Sequence, residues 1–202
     1  RPFFAENQSM FDLSGYRFFY VINTRRIGGT PDFNCETYSN ELKALCNQKA
    51  GENASNDINL AVRYTQQNKN TEIGFLGAFE ADEDFSQGKD FYATRIRSTY
   101  NNLKVGYLAT YVDSPIFDRT ATVHTLDFDY KYSPELRVYG IFLNSLVNDK
   151  EGLGLRLGMN HMPSKDRSNY LGFYYFDEDL DLNDMGYLGR NNWMLFGGRT
   201  QL

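Results

Sequence analysis

Long apolar runs are missing from this sequence of 202 residues. No apolar stretch approaches the roughly 20 residues that a membrane-spanning helix needs. A basic excess is also missing, since the net charge is −5 and the chain carries no electrostatic footprint for nucleic acid. These absences argue against helical membrane spans and against a nucleic-acid partner. They leave open a membrane β-barrel, whose strands hide their apolar face in an alternating pattern.

Cysteine is scarce, and both copies, Cys35 and Cys46, lie in one polar stretch. In an oxidising compartment they would form a disulfide that closes a surface loop. Two reduced thiols are the alternative. The spacing matches no zinc-binding pattern, so we expect no zinc site.

The start of the chain lacks both a methionine and a signal peptide, because it begins Arg1-Pro2-Phe3-Phe4. We therefore expect a processed product or a piece of a longer protein.

Aromatic residues are abundant, with 15 Tyr and 16 Phe, and they recur with a period of two. Residues 58–80 show the pattern best: Ile58, Leu60, Val62 and Tyr64 alternate with polar or small residues, and a polar break at 66–70 follows. A second alternating run then completes a β-hairpin. The pattern recurs along the chain and predicts an all-β, up-and-down antiparallel meander of about ten strands. We predict these strands at 15–26, 58–66, 72–81, 91–100, 103–112, 122–132, 136–147, 153–160, 169–177 and 192–200.

The connections between these strands alternate between longer and shorter, which predicts a transmembrane outer-membrane β-barrel or part of one. Residues 1–14 form a lead-in segment, and 15–202 form the barrel region, with a long loop at 27–57. Several tyrosines near strand ends are typical of the aromatic girdles of such barrels. They are Tyr64, Tyr100, Tyr111, Tyr132 and Tyr170. A soluble β-sheet binding module, with the apolar face turned inward, is the alternative.

Motifs at both ends of the chain resemble one known family. Residues 1–6 (RPFFAE), 24–28 (TRRIG) and 183–192 (NDMGYLGRNN) carry the likeness. They resemble the β-barrel region of the DUF5916 family of Bacteroidetes-type outer-membrane proteins. Ala5 and Asn7 stand where Leu and Gly are common in the family, and the insertion at 31–57 is atypical.

The resemblance implies a location in the bacterial outer membrane and a fragment of a larger barrel. A carbohydrate-binding module similar to family 9 usually precedes that barrel. The implied function is carbohydrate-linked binding or uptake at the cell surface, without enzymatic activity. The implied partners are outer-membrane lipid, glycans, and other outer-membrane proteins or missing parts of the same barrel.

Charged residues on the polar faces of the strands are the candidate ligand-binding groups. The apolar face of the first hairpin is assigned to lipid: Ile58, Leu60, Val62, Tyr64, Ile73, Phe75 and Phe79. The opposite face then places charges of both signs in a lumen that is wet or plugged rather than a packed core. These lumen candidates are Arg63, Glu72, Glu80, Arg95 and Arg97.

A second charged group belongs to the family-like motifs, namely Glu6 with Arg25 and Arg26. It would bind an anionic or sugar ligand at the barrel mouth, since arginine forms bidentate contacts with oxyanions. The alternative is a structural ion pair that ties the lead-in segment to the wall.

An acidic stretch near the C-terminus places oxygen ligands at every second residue, at Asp177, Asp179, Asp181 and Asn183. Alternating oxygen ligands are what calcium sites use, so a weakly bound calcium ion is one reading. A solvated acidic loop is the other, and we predict no other cofactor.

Catalytic patterns are absent from the sequence. His124 and His161 are the only histidines, and no GxSxG nucleophile motif occurs. A barrel-borne hydrolase acting on glycans or lipids therefore stays as an alternative that rests on no particular pair of residues.

Overall fold

The computed structural model describes residues 8–15, 18–52 and 55–202. Within them, the chain begins with helix α1 (Gln8–Phe11) and the two-residue strand β1 (Phe19–Tyr20). A 3-10 turn at Cys35–Thr37 and helix α2 (Asn40–Ala50) follow. The rest of the described chain is mostly strand, which confirms the all-β prediction.

Nine strands form the main sheet, and each is antiparallel to its neighbours. The strands in chain order are β2 (Ile58–Gln67), β3 (Thr71–Glu80), β4 (Asp90–Tyr100), β5 (Leu103–Ser114), β6 (Arg119–Lys131), β7 (Leu136–Val147), β8 (Lys150–Ser164), β9 (Arg167–Phe176) and β11 (Trp193–Gln201). The remaining strand, β10 (Tyr187–Leu188), pairs only with β1. The order β11-β9-β8-β7-β6-β5-β4-β3-β2 confirms an up-and-down meander. The sheet is open rather than closed into a barrel, and β2 and β11 form its two edges.

The strand predicted at 15–26 is wrong. Residues 16 and 17 of this prediction lie outside the described residues, and among the rest only Phe19 and Tyr20 form a strand, which pairs with Leu188 and Tyr187 outside the main sheet. The apolar residues of this segment, such as Val21 and Ile22, are buried against the main sheet. Their spacing resembles that of a strand, but the segment packs against the sheet as a plug, here defined as residues 8–15 and 18–28.

The two ends of the sheet differ in their connections. One end, called the short-turn end, carries the connections at 68–70, 101–102, 132–135 and 165–166. The other, called the long-loop end, carries those at 81–89, 115–118, 148–149 and 177–192. The longer loop predicted at 148–152 is wrong, because β8 already begins at Lys150. Asn148 and Asp149 both adopt positive φ, which is the geometry of a two-residue hairpin turn.

The outer face of the sheet carries the apolar positions, and these side chains are exposed or half-buried. They include Leu60, Val62, Tyr64, Ile73, Phe75, Phe79, Tyr92, Ile96, Val105, Tyr107, Tyr111, Leu126, Phe128, Tyr130, Phe142, Leu146, Leu153, Leu157, Leu171, Phe173, Tyr175, Met194 and Phe196. Two predicted outward residues turn inward. Ile58 packs against the core, because a bulge between Ile58 and Leu60 interrupts the alternation. Tyr170 lies opposite Asn160 on the inner face.

The inner face packs against the plug and against residues 178–190, and their shared apolar core fills its long-loop half. Strand residues of this core are Leu76, Ala78, Phe91, Ala93, Leu108, Val112, Val123, Ile141, Leu143, Tyr174 and Phe176. The plug and the loop supply Met10, Phe11, Phe19, Val21, Ile22, Ile27, Leu180, Leu182, Met185 and Leu188. A glycine makes room at one contact, since a Cβ on Gly74 would lie 2.5 Å from Sδ of Met10. The expectation that the inner side is no packed core is therefore wrong for this half.

The loop predicted at 27–57 contains more structure than the sequence indicated. Cys35 and Cys46 are joined by a disulfide with Cα atoms 5.6 Å apart, so the disulfide alternative holds. Helix α2 occupies 11 residues of this predicted loop. Its N-cap position is Ser39, and Glu41 in its first turn favours the helix dipole.

Candidate functional site on the inner face of the sheet

The inner face divides along the strands into two chemically different halves. The long-loop half is the apolar core, whereas the short-turn half carries charged side chains. We call this short-turn set the inner charged band. By strand register and alternation, its members are Arg63, Glu72, Arg95, Arg97, Lys104, Asp127, Asp129, Lys131, Arg137, Arg156 and Arg199. The band contains four of the five predicted lumen residues.

Glu80 is the fifth of these residues, and it lies at the opposite end of the inner face. Its side chain is buried and accepts hydrogen bonds from the backbone N–H of Gly28 at 2.7 Å and from Nδ2 of Asn56 at 3.0 Å. The backbone N–H of Lys89 donates a third at 3.2 Å. A carboxylate with three donors is satisfied as a buried anion, so Glu80 anchors the plug to β3.

Arg95 and Asp127 form a bidentate ion pair across β5. Nη1 of Arg95 lies 2.5 Å from Oδ2 of Asp127, and Nη2 lies 3.0 Å from Oδ1. Only 2% of the Arg95 side chain is exposed. Gly106 lies between the two strands that carry them, and a Cβ there would stand 2.6 Å from Nη2 of Arg95 and from Oδ2 of Asp127. Glycine at this position therefore lets the pair form.

A second ion pair joins Arg97 of β4 to Glu72 of β3, with Nε of Arg97 at 3.1 Å from Oε2. Arg63 of β2 lies opposite Leu76 and faces inward, where it is half-buried. The sequence therefore predicted the facing of all three residues, and register adds which of them pair.

The predicted mouth cluster is only partly within the described residues, since Glu6 lies outside them. Arg25 and Arg26 are exposed at the long-loop end. Nε of Arg26 donates to the carbonyl oxygen of Gly186 at 3.3 Å, which links the plug to residues 178–190. Whether the mouth cluster binds a ligand stays a prediction.

The acidic stretch is held by an arginine that the sequence analysis did not single out. Arg119 of β6 donates to Asp184 through Nε and Nη2, both at 2.8 Å, and to Asp181 through Nη2 at 2.9 Å. Burial raises the pKa of Asp181, but hydrogen bonds from Asn183 and from Arg119 outweigh it and hold the pKa below its usual value. This cluster, called the Arg119 latch, connects residues 178–190 to β6 of the main sheet.

The other predicted calcium ligands also have local partners. Asp177 accepts from the backbone N–H groups of Leu153 and Leu180 at 2.6 and 2.8 Å. Oδ1 of Asn183 accepts from the N–H of Leu188 at 3.0 Å, and Asp179 is exposed. Across residues 8–15, 18–52 and 55–202, no group of three or more His, Cys, Asp or Glu side chains could hold a metal ion. In this structure the oxygens of Asp177, Asp181 and Asn183 accept hydrogen bonds that hold the loop to neighbouring segments.

Several residues of the inner face escaped the sequence analysis as site candidates: Gly106, Arg119, Asp127, Asp129, Lys131, Arg137, Arg156 and Asp184. Alternation already placed most of them on the polar faces. What alternation lacks is strand register, which brings Arg95 within reach of Asp127 and Arg119 within reach of Asp184. Arg156 also reaches the plug, since its Nη1 donates to the carbonyl oxygen of Ser14 at 2.7 Å.

His124 lies on the outer face, away from the inner charged band. Its Nδ1 is 2.7 Å from the hydroxyl of Tyr107 on the neighbouring strand. The two rings stack with centroids 6.0 Å apart. His124 therefore joins an outward aromatic pair.

No family model matches the chain, and a search of curated proteins finds no match either. The resemblance to the DUF5916 family thus stays a prediction. In the part of the chain that the structure describes, no helix is long and apolar enough to cross a membrane.

Proposed function

We propose that this chain forms part of the wall of a bacterial outer-membrane β-barrel, with its outer face against lipid and its plug inside. One observation carries the proposal: the sheet exposes large apolar side chains on its outer face and buries charged side chains such as Arg95 on its inner face. Leu126, at the middle of the outer face, is 55% exposed, whereas Arg95 on the inner face is almost fully buried. Water-soluble proteins bury charged side chains only rarely and seldom expose large apolar patches.

The height of the apolar surface supports the same proposal. Strands β2, β3 and β9 have 10 residues each. A strand of this length, tilted by about 40°, spans about 25 Å, which matches the apolar band of outer-membrane barrels. Tyr100 and Tyr132, at the short-turn end, are 74% and 66% exposed, as residues of an aromatic girdle would be.

Charge on the outer face is confined to the strand ends. Among the outward strand positions, acidic residues occur at the long-loop end, as Asp90, Asp113 and Glu151, and Arg167 lies at the short-turn end. The rows between them carry none. A lipid-facing surface needs this distribution, because a charge at mid-bilayer depth is costly.

The soluble alternative requires a second layer over the outer face. Core packing lies instead on the inner face, where the plug covers the inward-facing residues of the strands, which are smaller and more polar than the outward-facing ones. We therefore favour the membrane barrel over a soluble binding module. The hydrolase alternative gains no support, because His124 and the inner charged band lie on opposite faces of the sheet.

The physiological role follows from the resemblance alone. We propose carbohydrate-linked binding or uptake at the cell surface, with glycans as the external partner and the rest of the barrel supplied by further strands. Recovery of a family 9-like sugar-binding module in the same gene product would support this role. A gene product without one would count against it.

Detergent dependence tests the membrane part of the proposal. The protein should be recovered from the outer-membrane fraction, remain monodisperse only in detergent, and migrate differently on a gel before and after heating. These properties follow from a lipid-facing surface and a stable folded barrel. A monodisperse preparation in detergent-free buffer would contradict the proposal.

A further inference from the structure

The inner charged band has an excess of positive charge, although the chain as a whole has a net charge of −5. Its carboxylates are Glu72, Asp127 and Asp129, and each is engaged by an arginine. These pairs neutralise Arg97, Arg95 and Arg137, respectively. Among the described residues, Lys104, Lys131 and Arg199 of the same band form no ion pair with a carboxylate, so its surface attracts anions.

Two cations lie side by side where β6 and β7 meet the short-turn end. Lys131 and Arg137 are direct cross-strand partners on the inner face. Like charges placed opposite each other repel, and their Cβ atoms lie within about 5.5 Å. Asp129 forms a bidentate ion pair with Arg137, and within the described residues no carboxylate forms an ion pair with Lys131. Lys131 is therefore the cation at this point that no ion pair with a carboxylate engages.

A cavity of about 540 Å³ lies next to these two cations. Its size falls in the range of about 300–1,000 Å³ that is usual for small-molecule sites. The side chains of Asn160, Ser168 and Tyr170 join Lys131 and Arg137 in its lining. Glu135 is the carboxylate of the lining, and it accepts a hydrogen bond from Oγ of Ser133 at 2.8 Å within its own turn.

We propose that this cavity binds an anionic saccharide, with its carboxylate or phosphate between Lys131 and Arg137. The oxyanion would pair with Lys131 and reduce its repulsion with Arg137. Asn160 and Ser168 offer donors and acceptors for sugar hydroxyls, and the ring of Tyr170 offers a flat surface for the sugar. The sugar part of the ligand rests on the proposed carbohydrate-linked function, whereas the anionic part rests on the cavity alone.

Calorimetric titration of the purified protein in detergent, at low salt, tests the site. The probes are glucuronate for the carboxylate source, glucose 6-phosphate for the phosphate source, and neutral glucose. We expect at least one anionic probe to bind, more weakly at higher salt, and glucose not to bind. The anionic probe that binds identifies the source of the oxyanion.

Variants locate the binding. Lys131→Gln removes a cation without breaking an ion pair, so it should fold normally and weaken binding by about fivefold or more. Lys165→Gln removes the same charge from the neighbouring turn at 165–166, outside the cavity lining, and should bind like the wild type. Arg137→Lys keeps the charge but loses the planar fork, so it tests the geometry of the contact.

Two results would overturn the proposal: no binding of either anionic probe, or equal weakening by Lys131→Gln and Lys165→Gln. Binding of glucose as tight as that of the anions would also overturn it. The membrane proposal is judged separately by detergent dependence, so a failure here leaves that result untouched.

Discussion

At the scale of single residues, the inner face depends on a position with no side chain. Gly106 occupies β5 between the strands of Arg95 and Asp127, and the bidentate pair passes over it. A buried ion pair tolerates little displacement, because separated partners become buried charges without compensation. The small residue and the ion pair therefore form one unit.

Replacing Gly106 with alanine should destabilise the protein by about 1–3 kcal/mol, because overpacking pushes the ion pair apart. The free energy of unfolding, measured by urea titration in detergent, checks this expectation. Gly197→Ala is the matched control, since a Cβ on Gly197 would meet nothing within 4 Å. An equal change in the two variants would show that the Arg95–Asp127 pair imposes no constraint on residue 106.

At the scale of elements, residues 178–190 are attached to the wall by two different interactions. Leu180, Leu182 and Met185 are buried in the core, and the Arg119 latch holds the polar side of the same loop. Apolar burial is insensitive to pH, whereas the latch depends on ionised carboxylates. The two interactions can thus be separated by acidification.

Acidification should loosen residues 178–190 before it unfolds the sheet. The pKa of Asp181 in the folded protein lies below its usual value of about 3.9, so its contribution is complete above that pH. The contribution is lost as the pH falls through the folded pKa. Amide hydrogen exchange between pH 6 and pH 3, corrected for the intrinsic rate, should show protection falling first in this loop.

Arg119→Gln provides the control for this titration. Without the guanidinium, the pKa of Asp181 rises, and the loop should lose protection at a higher pH than in the wild type. Identical pH profiles for the wild type and Arg119→Gln would mean that the latch does not hold the loop.

Sequence alternation predicted most elements of the main sheet well, because their outward positions are apolar along the strand. All nine strands lie near their predicted positions, although the facing of 136–147 was ambiguous because apolar residues occupy both of its faces. The segment at 15–26 failed because its apolar residues also have period two but are buried in the plug rather than paired in the sheet. Alternation shows which residues of a segment are buried, and it does not show whether the segment pairs with other strands.

The site was less predictable than the fold. The inward facing of Arg63, Glu72, Arg95 and Arg97 followed from alternation alone. The pairing of Arg95 with Asp127 depends on register across three strands, and the Arg119 latch joins residues far apart in the chain. These contacts between distant residues form only when the sheet is assembled, so a local sequence pattern cannot predict them.

At the scale of the whole molecule, the outer face of the sheet exposes large apolar side chains, and the inner face carries both the apolar core and the ion pairs. Exposed outer residues such as Leu126 and Phe142 are apolar, whereas the inner face holds the ion pairs. Leu126 lies in the middle row of the outer face, opposite Tyr107 and Phe142 on its two neighbours. A substitution there therefore distinguishes lipid from water.

Leu126→Arg should lower the stability in lipid vesicles by about 2–4 kcal/mol, as an arginine at the bilayer midplane does. Tyr132→Arg, beyond the end of β6, should cost only about 0–1 kcal/mol, because it lies at interfacial depth. Urea unfolding from vesicles measures both. Values for Leu126→Arg within about 0.5 kcal/mol of the wild type would place this surface in water.

In the proposed barrel, the number of strands has a consequence for how the wall would be closed. Nine strands that alternate in direction leave the first, β2, and the last, β11, pointing the same way. Joining these two edges directly would create a parallel pair in an otherwise antiparallel wall. A wall closed only by antiparallel pairs has an even total, so the strands that complete this one must be odd in number. One added strand is the smallest complement, and its two neighbours would be β2 and β11.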